Sequence, residues 1–163
     1  MNKIVYHALK SLIGLRLRHI NRSSNMLFLQ FGEPREISSR DGGLKAVYDW
    51  TVQIQCPWRI SQHSRVVIGY RDFYYSDVAQ NNEAVMNKSR YDSVLNSLCA
   101  EFETTPPRVI SIDADDTGAF SLHLSDDYRL DAITAENTAS GKHWRIFEPG
   151  VDGKSFVFPP SEA

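Results

Sequence analysis

From Tyr48 to Ile60 the chain alternates without a break. Tyr48, Trp50, Val52, Ile54, Cys56, Trp58 and Ile60 are apolar, while Asp49, Thr51, Gln53, Gln55, Pro57 and Arg59 between them are polar or proline. A strict period of two predicts a β-strand with one buried face. At about 3.3 Å per residue such a run would reach about 43 Å, too long for one flat strand in a small domain. Pro57 has no N–H to give to a ladder, so a bend, bulge or edge position is expected there, with Trp58-Arg59-Ile60 setting out in a new direction. The even positions, Trp50 and Trp58 included, are expected to form the core. A buried tryptophan removes about 150–250 Å² from water.

The rest of the chain supplies partners for this spine. Residues 3–13 predict a short amphipathic helix, with Val5, Leu9, Leu12 and Ile13 on one stripe and Gly14 as its stop. Strands are expected over 15–20 and 26–31, then a polar loop from Gly32 to Gly43. After the long alternating run, a turn at 61–64 leads to a strand over 65–70 that Arg71 to Tyr75 continue or leave. Residues 76–88, rich in Asn and Asp, read as a long loop. Ser89 is placed to cap a helix over 89–103, whose stripe is Tyr91, Val94, Leu95, Leu98, Cys99 and Phe102 and which Pro106-Pro107 ends. Further strands are expected over 108–114, 120–125, 128–133, 143–147 and 155–158. The expectation is an α+β chain: a large antiparallel bent sheet or two stacked β-meander halves, with two helices. It is read as a single domain over 1–163, its β-rich halves at 14–75 and 108–158 joined by the second helix. Trp58-Arg59-Ile60 is echoed by Trp144-Arg145-Ile146, each Trp expected inward and each Arg outward.

Composition narrows the class of function. At 163 residues, 42% hydrophobic and 23% charged, the chain is long enough for a core without metal or disulfide staples. Cys56 and Cys99 both sit at apolar-patterned positions and are expected to be reduced. His7, Lys10 and Ser11 interrupt the apolar residues after Lys3 before a signal-peptide core forms. No run approaches the length of a membrane span, so a cytoplasmic, membrane-free protein is expected. The net charge of −2 conceals an asymmetry: residues 1–90 carry 13 Lys/Arg and 7 Asp/Glu, residues 91–163 carry 5 and 13. An acidic second half suits a basic protein partner. With a pI of about 6.2 and only Arg16, Arg18 and Arg22 as a basic stripe, nucleic acid is not expected.

Catalytic motifs are missing. There is no G-x-S-x-G, P-loop, G-x-G-x-x-G or H-E-x-x-H, and neither cysteine has a catalytic setting. Asp113, Asp115, Asp116, Asp126, Asp127 and Asp131 are dense near two turns. They lack the spacing of a calcium loop and are good turn residues in their own right, so no metal and no cofactor is expected. Arg71, Asp72, Tyr74 and Tyr75 mix charge with aromatic surface, as protein hot spots do. Arg59 and Arg145 project from the strand faces, where they can bind a carboxylate or phosphate bidentately or pair with Asp49, Asp72 or another acidic neighbour.

Read in order, Ile13-Gly14-Leu15, Asn25-Met26-Leu27 leading to Phe31-Gly32, Cys56-Pro57-Trp58-Arg59-Ile60, Asp72 to Tyr75, and His143-Trp144-Arg145-Ile146-Phe147 with Pro149-Gly150 resemble a family of small bacterial proteins with no established activity. The resemblance covers nearly the whole chain. It implies a bacterial single-domain protein and carries over no catalytic residue.

The leading expectation is a non-catalytic binding protein of the immunity type that neutralises a basic toxin through Asp113, Asp115, Asp116, Asp126 and Asp127. The alternative is a small enzyme or ligand-binding domain using His123, Asp113 and Arg145 in a cleft. A plain structural or interaction domain is the third.

Overall fold

The alternation that runs to Ile60 is divided between two sheets. In the computed structural model, which describes residues 3–74, 90–137 and 141–161, the first part is strand β3 (Leu44–Ile54) and the second is β4 (Trp58–Gln62). Between them Gln55 N and Cys56 N both donate to the His143 carbonyl (2.8 and 3.1 Å), and the Pro57 carbonyl accepts from Ile133 N (2.8 Å). The bend expected at Pro57 is therefore a crossing from one sheet to the other. Proline fits there because its carbonyl is used and an N–H is not needed.

Ten strands and two α-helices form among the described residues, an α+β architecture with two five-stranded antiparallel sheets. The first sheet runs β1 (Leu17–Ser23), β2 (Met26–Ser38), β3, β9 (Trp144–Phe147), β10 (Ser155–Phe158). The second runs β5 (Arg65–Gly69), β4, β8 (Tyr128–Ala132), β7 (Phe120–Leu124), β6 (Val109–Ala114). Each sheet thus takes strands from both β-rich halves of the sequence. The stretch before β1 bonds to the start of β6, with Leu17 N donating to Pro107 O and Val109 N to Leu15 O. Helix α1 (Lys3–Leu9) tightens into a 3-10 turn at Lys10–Leu12 and buries Val5, Leu9 and Leu12 completely. Helix α2 (Arg90–Thr104) packs against the edge strands β1 and β5, burying Leu95, Leu98 and Phe102. Glu101 accepts from the Tyr128 hydroxyl (2.7 Å), and the Arg22 guanidinium grips Asp92 with two bonds of 2.8 and 3.0 Å. No described helix is long and apolar enough to cross a membrane.

One apolar cluster joins the inner faces. Leu29, Val52, Ile54, Trp144 and Ile146 come from the first sheet, and Trp58, Ile60, Ile68, Leu122 and Leu130 from the second. Trp144 is central to it. Its indole N–H donates to the Gly118 carbonyl (2.9 Å), Phe158 stacks on it at 5.8 Å, and Phe120 meets it edge-on at 5.0 Å. Gly118 has φ +87°, and a Cβ there would lie 2.1 Å from the Phe158 ring, so a side chain is excluded on two counts.

Several sequence expectations are corrected. Ile13 leaves the buried stripe because the 3-10 turn rotates it outward, where it is 41% exposed. The loop expected from Gly32 to Gly43 is mostly strand: β2 continues to Ser38 and pairs with β3 beyond a bulge at Gly32-Glu33. Gly32 takes φ +91°, and Asp49 Oδ2 accepts from the Glu33 N–H (2.8 Å), so this extra residue masks the alternation. Pro34 is tolerated because β1 pairs with β2 only up to Phe31, leaving the remainder of β2 with a free edge. Thr51 is buried against the polar parity, while Trp50 is only partly buried at the margin of the core. Tyr70–Tyr74 is a 3-10 segment rather than more strand. The loop expected over 76–88 and the cap at Ser89 lie outside the described residues.

These placements rank the tryptophans. Trp58→Ala and Trp144→Ala should each cost about 3–5 kcal/mol, and Trp50→Ala only about 1–2 kcal/mol. Urea unfolding of the three variants measures this; equal losses would show that Trp50 is a full member of the core.

Candidate functional site

The outer face of the second sheet is where chemistry-bearing side chains converge. Trp58, Ile60, Leu122, Leu124, Tyr128 and Leu130 point inward, so their odd- or even-numbered neighbours on the same strands point out. Register then aligns them in rows across the strands. Arg59 faces Asp131, Asp131 faces Ser121, and Ser121 faces Asp113; in the next row Ser61 faces Arg129 and Arg129 faces His123.

Asp131 is the hub. Although it is on the outer face, its side chain is only 7% exposed, because Arg59 and Arg129 arch over it. It accepts from Arg59 Nε (2.9 Å), Arg129 Nε (2.7 Å) and the Ser121 hydroxyl (2.5 Å). Arg129 Nη2 also donates to Ser121 Oγ at 3.1 Å. Burial alone would raise the carboxyl pKa. The hydrogen bonds from Ser121, Arg59 and Arg129, with the Arg129 charge, outweigh it and hold Asp131 below the ordinary carboxylate value. The two arginine side chains are themselves about half exposed, at 51% and 47%.

Around this hub the surface is dimpled. One depression of about 400 Å³ is bordered by Arg59, Ser61, His123 and Arg129. A second lies toward Asp113, Ser121 and Ile133, and a third, more apolar, toward Pro57, Tyr70 and Arg71. Arg59 borders all three. His123 Nε2 lies 2.7 Å from Asp113 Oδ2, and at the turn end His63 Nδ1 lies 3.1 Å from Asp127 Oδ2.

The residues singled out in sequence are partly united here. Arg59, Asp113 and His123 share this face, but Arg145 does not. It projects from the first sheet, its guanidinium carbon 4.3 Å above the Phe147 ring. The cleft expected from His123, Asp113 and Arg145 is therefore not assembled. The aspartates also do not form one patch. Asp115 and Asp116 belong to the β6–β7 turn and Asp126 and Asp127 to the β7–β8 turn, separated by β7, whose five residues span about 17 Å. Asp115 Oδ1 accepts from the Thr117 N–H, the Thr117 hydroxyl and the Ala119 N–H, which makes it a turn cap. Asp126 and Asp127 take φ of +58° and +60° to close their hairpin. Asp72 accepts from Gly69 N at 2.8 Å and is structural, and Arg71 is exposed beside it. The Tyr74 side chain and Tyr75 lie outside the described residues. Arg16, Arg18 and Arg22 are each bound within the chain, to Pro106 O, to Glu33 and to Asp92.

Asp131 and Arg129 are not among the site residues expected from sequence, although the alternation of Tyr128, Leu130 and Ala132 around them marks both as outward. No group of three or more His, Cys, Asp or Glu residues among the described ones is arranged to hold a metal ion. Cys56 and Cys99 are free thiols; burial pushes the Cys56 thiol up to about 11, so it stays protonated at neutral pH. Comparison with protein-family models, curated proteins and solved structures returns no match to this chain.

A carboxyl whose pKa is lowered on folding adds stability above its unfolded value and loses it as pH falls through the folded one. Asp131→Asn should therefore cost about 1–3 kcal/mol at neutral pH. The gap to wild type should close as pH drops through and below 3.8. Denaturant unfolding across acid pH checks this, and a gap that stays constant into strong acid would contradict the charged hub.

Proposed function

We propose that this chain is a non-catalytic binding protein whose partner docks on the outer face of the second sheet. The observation that carries this reading is the Arg59–Asp131–Arg129 network: two half-exposed arginine side chains tethered by a shared carboxylate, among open depressions. Side chains already held in place lose less freedom on binding, which favours recognition. The catalytic alternative has less support. The Ser121 hydroxyl is committed to Asp131, an ionised carboxylate held below the ordinary range. His123 is paired with Asp113 rather than with a nucleophile, and the third member of the expected cleft, Arg145, lies on the other sheet.

The sharper form of the proposal is an immunity-type protein facing a basic toxin domain. Its support is electrostatic. Residues 109–132, which form β6, β7 and β8 with their turns, carry six aspartates and one arginine, and 58–69 add only Arg59 and Arg65. The second sheet is thus acidic despite its central guanidiniums, and a basic partner would be steered to it.

The test begins with the tagged full chain crosslinked inside its native cells, followed by calorimetry with the purified partner. Crosslinks should fall on the second sheet. Asp113→Lys combined with Asp116→Lys should weaken a basic partner about tenfold or more, chiefly at low salt. Crosslinks confined to the first sheet would end the docking proposal, and an acidic partner would end the immunity-type form.

A further inference from the structure

We propose that Arg59 and Arg129 together form a binding site for a single carboxylate group, seated in the depression between Ser61, His123 and the two guanidiniums. Each arginine turns its Nε inward to Asp131, at 2.9 and 2.7 Å. Arg129 Nη2 is also used, on Ser121. Neither Nη of Arg59 has a hydrogen-bond partner among the described residues, nor does Nη1 of Arg129. These N–H groups belong to side chains that are half exposed yet held at the root, so donors are presented to solvent in a fixed arrangement. The planar fork of a guanidinium matches the two oxygens of a carboxylate.

Charge selects the ligand. Two guanidiniums and one carboxylate leave one positive charge at the hub, which a monoanion completes. A dianionic phosphate would overshoot it and meet the stronger repulsion from Asp127, which lines this depression, and from Asp113 on the same face. The depression of about 400 Å³ leaves room for the group that carries the carboxylate, with the exposed Val66 on its wall to meet a short apolar stem. A carboxylate in this position would receive donors from both arginines without displacing Asp131, because it would use the opposite edge of each fork. The carboxylate would be borne by the partner, as an acidic side chain or a chain terminus at the centre of an otherwise basic surface. That part rests on the binding reading above; the site itself does not.

The test is an acetate titration of the uniformly nitrogen-15-labelled full chain at constant ionic strength, following the arginine Nε–H signals by NMR. The signals of Arg59 and Arg129 should move saturably with acetate and not with chloride, and phosphate should bind more weakly. Arg59→Gln, with its fold checked by circular dichroism, should weaken acetate about tenfold or more. If that variant does not fold, the comparison of acetate, chloride and phosphate on the wild type still decides. Shifts that never saturate, that persist in Arg59→Gln, or that are stronger with phosphate would overturn the site. Loss of the acetate response with partner docking intact removes the carboxylate site alone. An acetate response without any partner on the second sheet removes only the docking proposal.

Discussion

The crossing at Gln55–Pro57 is the constraint on which the remaining architecture depends. One stretch of backbone leaves the first sheet and enters the second within three residues, and three other segments meet at it. His143 gives its carbonyl to two successive N–H groups and its own N–H to Phe158 O, while Ile133 N reaches back to Pro57 O. The start of β9, the end of β10 and the end of β8 therefore meet at the corner where β3 becomes β4. A buried backbone group without a partner is costly, and this corner satisfies its carbonyls and amides reciprocally. Trp58 follows at once and is driven inward. Its position sets the parity of β4, and with that parity Arg59 must face out.

Core and site are thus two consequences of one register. On β4, β7 and β8 the inward residues carry apolar area and the outward ones carry charge, so a slip of one residue would exchange the two sets. The price of moving the site is therefore the loss of the core, and this couples the position of Arg59 and Asp131 to the stability of the sheet. The half-exposed arginines make each separate ion pair modest, so the stability that Asp131 adds comes from the whole set of donors to a buried carboxylate. Its effect is orientation: three donors converge on it, and two of them are thereby aimed outward.

Legibility followed the range of the interactions. The alternation from Val52 to Ile60, the stripe of Val5, Leu9 and Leu12, that of Leu95, Leu98 and Phe102, and the turns at Asp115–Gly118 and Asp126-Asp127 are local, and each is readable from neighbouring residues. The extended arms of β2 and β3 were not, because one inserted residue at Gly32-Glu33 breaks the period and Asp49 repairs it from another strand. The site was readable in part for the same reason. Arg59 stood out beside Pro57, and Asp113 and His123 stood out by residue type. That Arg59 would meet Asp131, 72 positions away, follows only from the pairing of β4 with β8. Arg145 shows the converse. It shares the Trp-Arg-Ile setting of Arg59 and the same outward parity, yet it belongs to the other sheet and rests on Phe147.

The contrast between those two arginines bears on function. Arg145 lies over the Phe147 ring, with its Nε buried and without a hydrogen-bond partner among the described residues. Arg59 has an ionic partner that engages only its Nε, and it stands where three depressions meet. A guanidinium bound through one nitrogen retains its remaining donors for a second acceptor, and the charge of a carboxylate gripped by two arginines is outweighed by theirs. Under the proposed docking, Asp131 would lower the entropic cost of binding without cancelling the attraction. On an acidic sheet this leaves a small positive centre within a negative surround, a pattern that discriminates by charge arrangement as well as by total charge. A uniformly basic partner would meet repulsion at Arg59 and Arg129, and a uniformly acidic one would meet it at the two aspartate-bearing turns. The complement that satisfies both is a basic surface with one carboxylate at its centre.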